Sequence, residues 1–162
     1  MSDVAEPGLL VRARADGRED CLRAQWGGSD RVLAAVLDRG VAVPLAADWT
    51  LARRAVSRSV WLADLDCLRL SAVYLEDDRT RTFLPLWAGL PTAGVGVDPR
   101  AGPLVRVRSL GQARHLRRRW RRLKGGLAEA VADGRLPFAA VPLAFRGALV
   151  GHETLDGALF EG

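Results

Sequence analysis

Two pairs of short alternating runs, each pair closed by a polar turn, constrain this chain more than any other feature. LLVRARA at 9 to 15 alternates apolar and charged positions, Asp16-Gly17 supplies a turn signal, and DCLRAQW at 20 to 26 resumes the alternation. Alternation puts successive side chains on opposite faces of a strand, so the stretch reads as a hairpin with one face toward a core. The second pair is LRLSAVY at 68 to 74 and RTFLPLWAG at 81 to 89, separated by EDDRT. With helical segments between and after them, the two hairpins predict an α+β fold. Its sheet is mainly antiparallel and covered by helices on one face, with one long basic amphipathic helix lying across it.

Between the hairpins, Ser29 or Asp30 caps DRVLAAVLDRG, whose Val32, Leu33, Val36 and Leu37 make one helical stripe ending at Gly40. VAVPLAADW at 41 to 49 reads as a connection or edge because Pro44 cannot donate to a ladder. Thr50 is expected to cap a second short helix. Residues 91 to 103 hold Pro91, Pro99 and Pro103 among several glycines, a loop signal that marks a candidate subdomain boundary within one domain spanning 1 to 162. A short strand follows at LVRVR, then a helix from Ser109 to Ala132 that Gly125-Gly126 is expected to kink or split. The tail PFAAVPLAFRGALVG reads as an edge strand with irregular chain. No internal repeat is visible.

A chain of 162 residues, 49% hydrophobic and 27% charged, has ordinary globular composition and can bury one core without disulfide support. No apolar run reaches the roughly 18 to 20 residues a membrane helix needs. The start, MSDVAEPG, lacks the basic and apolar regions of a secretory signal, so a cytoplasmic location is expected. Cys21 and Cys67 have neither zinc-knuckle nor CxxC spacing and read as reduced small hydrophobes.

The net charge of +5 is unevenly placed. Nine of the 24 Lys and Arg residues lie between Arg106 and Lys124, where no Asp or Glu occurs; the other 15 are outnumbered by 19 acidic residues. In the helix, Leu110, Ala113, Leu116, Trp120, Leu123, Leu127 and Val131 recur at steps of three and four and face the core. Arg114, Arg117, Arg118, Arg121 and Arg122 fall largely off that stripe with no acidic partner at i+4. Such a ridge repels itself unless an anion, a nucleic-acid backbone, an acidic partner, or Asp and Glu from elsewhere in the fold neutralises it. No zinc-finger spacing, RNP-like strand or helix-turn-helix pattern accompanies it.

Other constellations are weaker. Trp26-Gly27-Gly28 places an aromatic ring beside backbone able to approach a ligand, but Trp26, Trp49, Trp61 and Trp87 read as core anchors before they read as a ligand platform. Asp64 with Asp66, and Glu76 with Asp77 and Asp78, read as helix-end and turn residues before they read as metal ligands. With only His115 and His152, a multi-histidine metal site is excluded, and no metal or cofactor is expected. Gly94-Val95-Gly96 lacks the third glycine of a phosphate cradle, and no GxSxG or Walker-type loop occurs.

The order of segments, with AQWGG at 24 to 28 after the opening strand pair and LWAGL at 86 to 90 after the second, resembles a family of small uncharacterised haloarchaeal proteins over roughly the first 90 residues. The resemblance implies no activity. Three readings of function follow. The first is a non-enzymatic accessory protein that binds nucleic acid without sequence preference through Arg114, Arg117, Arg118, Arg121 and Arg122. The second is a protein-interaction module that sets the same ridge against an acidic partner. The third is a small-molecule enzyme built on the Trp26 to Asp30 turn with Asp64 and Asp66.

Overall fold

The computed structural model describes residues 4–90 and 102–155. The elements, in chain order, are β1 (Gly8–Ala13), β2 (Glu19–Ala24), α1 (Asp30–Leu33) running into a π-helical turn (Ala34–Asp38), α2 (Val43–Ala46) and β3 (Thr50–Val56). After them come α3 (Arg58–Ala63), β4 (Ala72–Glu76), β5 (Thr80–Pro85), β6 (Leu104–Val107), α4 (Leu110–Ala132), a 3-10 turn (Phe138–Ala140) and α5 (Val141–Ala148). The six strands form one sheet in the order β3-β2-β1-β4-β5-β6. Only β1 and β4 pair in parallel; every other neighbour is antiparallel. The α+β class, the mainly antiparallel sheet and both hairpins are therefore as the alternation predicts.

The chain lays down two three-stranded meanders, and each is followed by a helix on a different face. Leu10, Tyr74, Leu84 and Val105 pack with residues of α1, α2, α4 and α5 in one cluster. Leu9, Val11, Cys21, Val73 and Phe83 pack with Trp61 of α3 and the turn after it in the other. Neighbouring residues such as Leu9 and Leu10 thus enter different cores, as the two-residue period of a strand requires. Helices α1 and α2 and the π-helical turn interrupt the first meander between β2 and β3, so the likeness of the two halves is one of strand topology alone. A second core on the reverse face also goes beyond the expected single helical cover.

Several local expectations change. Thr50 does not cap a helix: residues 50 to 56 form the edge strand β3, mostly exposed, and helix α3 begins after Ser57. An exposed edge strand buries no alternate face, so it carries no period-two signal. Pro44 and Pro142 stand in the first turns of α2 and α5, where a backbone N–H has no intrahelical partner and proline is accommodated. The tail is therefore helical, with no edge strand before residue 149. Leu68 to Leu70 form a turn rather than strand, organised by Asp66 Oδ1, which accepts from the backbone N–H groups of Leu68 and Arg69 at 3.1 Å. Helix α4 runs unbroken through Gly125-Gly126. Residues 91 to 101 of the Gly/Pro loop, where a subdomain boundary was placed, lie outside the described residues.

The Gly27-Gly28 step serves packing. A Cβ on Gly8 would lie 2.5 Å from the carbonyl carbon of Gly27, and one on Gly28 would lie 2.9 Å from both Ala72 N and Pro7 O. Three backbone segments converge there, and Tyr74 Oη donates to Gly27 O over 2.7 Å. The approach that glycine permits is therefore that of the chain itself.

Candidate anion-binding face

Helix α4 is fixed at its start by several hydrogen bonds. Ser109 Oγ caps the helix by accepting from Gln112 N at 3.0 Å, and Gln112 Oε1 reaches back past the cap to accept from Arg108 N at 2.7 Å. Asp38 Oδ1 accepts from Leu110 N at 3.1 Å, tying the helix to the end of the π-helical turn. Gly134, with φ +71°, ends it. The apolar stripe is placed as its spacing predicts: Ala113, Leu116, Trp120 and Leu127 are buried, and Leu110, Leu123 and Val131 pack partly buried against the same core. Trp120 stacks on Phe145 with ring centroids 4.6 Å apart and donates Nε1–H to Trp87 O over 3.0 Å.

The basic residues divide into two rows. Along the border of the buried face, Arg117 donates to Asp30 Oδ1 at 3.3 Å, Gly28 O at 3.3 Å and Ser71 O at 2.8 Å. Arg114 Nε donates to Asp30 Oδ2 at 2.9 Å. Lys124 donates to Trp87 O at 3.2 Å and lies 4.2 Å from the centre of the Trp87 ring; burial holds its pKa below the ordinary lysine value. Before the helix, Arg106 and Arg108 both bind Glu153, at 2.8 and 2.9 Å. These residues secure the helix to the fold.

The outer row is different. Arg118, Arg121 and Arg122 are exposed and make no hydrogen bond or ion pair among the described residues. Arg119, which the wheel reading left out, shares this condition, and His115 is exposed one turn before it. Of the five sequence-predicted residues, then, three face solvent together and two are engaged with Asp30. Asp30 was missed as a partner because it lies 84 positions from Arg114, and helical periodicity carries no signal over that separation.

Four guanidinium groups within two helical turns repel one another by a few tenths of a kcal/mol per i, i+3 or i, i+4 pair. An anionic polymer relieves that repulsion, and nothing on the helix competes with it: α4 exposes no large hydrophobic side chain. The face can therefore hold phosphate or carboxylate groups by charge and N–H donation.

The remaining candidates are placed as follows. Trp61 is buried, and Trp49 and Trp87 are partly buried, but Trp26 is 42% exposed and is not a core anchor. It lines an open cleft of about 600 Å³ with Arg31, Leu45 and Asp48. Asp64 lies elsewhere, paired with Arg53 at 2.6 Å, so Trp26 and the acidic pair do not share a cavity. Glu76 pairs with Arg12 at 3.0 Å and Asp77 with Arg81 at 2.7 Å. Neither cysteine forms a disulfide, and both are buried. Among the described residues no group of three or more His, Cys, Asp or Glu is placed to hold a metal, and no helix is long and apolar enough to cross a membrane. No family model, curated protein or solved structure matches the chain.

Proposed function

We propose that this chain binds nucleic acid without sequence preference, through phosphate contacts made by the outer row of α4. The observation that carries the reading is the division of the basic residues: Arg114, Arg117 and Lys124 are consumed within the fold, whereas Arg118, Arg119, Arg121 and Arg122 stay exposed and unneutralised. A rigid helix with its apolar face locked to a core presents these groups at fixed spacing, which lowers the entropy lost on binding an extended polyanion. The lack of exposed apolar side chains on α4 favours phosphate over a protein partner, because protein interfaces concentrate aromatic and aliphatic groups at their centre.

The test is a fluorescence-anisotropy titration of random-sequence duplex and single-stranded oligonucleotides at several salt concentrations. Wild type is compared with the Arg118→Ser, Arg121→Ser, Arg122→Ser triple variant. Kd near 1–100 μM is expected at moderate salt, with a log–log salt slope of about −3.6 on duplex for four phosphate contacts that falls to about −1 in the variant, which keeps Arg119. Salt-independent binding, or equal binding by the variant, refutes the reading. Capture of an acidic protein that survives nuclease, with no oligonucleotide binding, moves the function to that partner.

A further inference from the structure

The reverse face of the sheet is incompletely closed. Helix α3 has six residues and spans only about 9 Å, too short to close one face of a six-stranded sheet. A cavity of about 220 Å³ remains beneath it. Strand register explains its lining. Leu9 pairs with Arg23 across β1 and β2, and Cys21 pairs with Arg53 across β2 and β3, so these alternate residues share one face. Leu9 and Cys21 form the floor; Trp61, Leu65 and Leu70 form the wall; Arg23, Arg53, Ala52 and Asp64 surround the mouth.

The floor and wall offer carbon surface and one thiol. Trp61 has no free donor, since its Nε1–H is given to Glu19 Oε2, and Arg58 closes on Glu19 Oε1 at 2.6 Å. Burial pushes the Cys21 thiol up to about 11, so it stays neutral at physiological pH. Polar chemistry is confined to the mouth. There Arg53 is held by Asp64 at 2.6 Å, while Arg23 is exposed and makes no hydrogen bond or ion pair among the described residues. The mouth therefore carries one uncompensated positive charge above an apolar well, the arrangement that fits an amphipathic anion.

We propose that this cavity is a binding site for a small monocarboxylate with a hydrophobic body, its tail against Leu9, Trp61, Leu65 and Leu70 and its carboxylate on Arg23. At roughly 30 Å³ per non-hydrogen group, the cavity holds about seven such groups, which suits a medium-length alkyl or single-ring aromatic acid and excludes a long-chain lipid. The site is independent of α4, which lies on the opposite face of the sheet.

Octanoate is the probe, with octanamide as its uncharged counterpart and acetate as the headgroup alone. Binding is followed by calorimetry and by the NMR signal of the Trp61 indole N–H. Octanoate should bind with Kd on the order of 10–1000 μM and shift the Trp61 signal, acetate should leave it unmoved, and octanamide should bind at least about 5-fold more weakly. Arg23→Gln should remove the preference for octanoate over octanamide. Ala52→Trp, at an exposed edge position that leaves the core untouched, should block the mouth and abolish binding. The proposal is overturned if millimolar octanoate leaves Trp61 unshifted, if octanamide binds equally well to wild type, or if either variant binds octanoate as wild type does.

Discussion

Arg114 Nε lies 2.9 Å from Asp30 Oδ2, joining the basic helix to the first turn of α1 across 84 residues of chain. The same carboxylate accepts from Arg117, so a single acidic residue offsets two of the five ridge arginines and sets where the free row begins. Asp30 thus competes with any anion for the inner side of α4.

Replacing Asp30 with Asn removes that competition. Oligonucleotide affinity should rise on the order of threefold, with a steeper salt dependence. Stability should fall by less than about 1 kcal/mol, because the pair is partly exposed. Anisotropy titrations and urea denaturation measure the two effects, and a fall in affinity would show that Asp30 orients the arginines instead of competing for them.

Gly8 and Gly28 stand where backbone meets backbone. Either residue changed to Ala should cost about 3 kcal/mol, because the neighbouring atoms are main chain or, at Gly28, also the Cβ of Ser71, none of which can swing aside. Gly125→Ala, with nothing within 4 Å of the new Cβ, should be neutral or slightly stabilising and is the control in the same urea series.

Glu19 is 6% exposed and accepts from both the Trp61 indole and the Arg58 guanidinium. Glu19→Gln keeps the shape but turns one acceptor into a donor facing a donor. A loss of about 2 kcal/mol is expected in urea denaturation, with faster solvent exchange of the Trp61 indole proton. Unchanged exchange would mean that Trp61 is held by packing alone.

Alkaline stability should decline through Cys21. Its folded-state pKa is raised by burial from 9.0 to about 11. Its contribution is therefore fully present below pH 9 and is lost as pH rises toward 11, since the unfolded chain gives up the proton first. Tyr74, raised by the same cause, extends the decline above its ordinary value of 10. Urea midpoints measured from pH 7 to 10.5 should fall beyond 9, and Cys21→Val should flatten the segment between 9 and 10.

Glu153 acts on the acid side. Hydrogen bonding to Arg106 and the charges of Arg106 and Arg108 hold its pKa below the ordinary carboxylate value. Its contribution is present above that ordinary value and lost as pH falls through the lowered one. The residue anchors the returning chain along β6, where Arg106 N donates to Glu153 O and Leu155 N to Leu104 O. Glu153→Gln should therefore speed amide exchange at Leu155 at neutral pH while leaving β1 and β4 amides unchanged.

Sequence alone determined the elements whose own side chains must choose a side: the two hairpins, the α+β class, the apolar stripe of α4 and the outward direction of Arg118, Arg121 and Arg122. A buried face writes its period into the chain, and a strongly amphipathic helix writes it most clearly. Tertiary structure alone decided the rest. Pairing β1 with β4 in parallel joined the two meanders and placed α3 and α4 on opposite faces, which no local pattern encodes. The exposed edge strand β3 had no buried face to reveal it, and the prolines of α2 and α5 suggested breaks where they begin helices. Whether an arginine is free depends on a carboxylate brought in from elsewhere in the chain. Asp30 engages Arg114 and Arg117 but reaches no further along α4, because a charge pair requires proximity in space, and folding supplies that proximity independently of sequence separation.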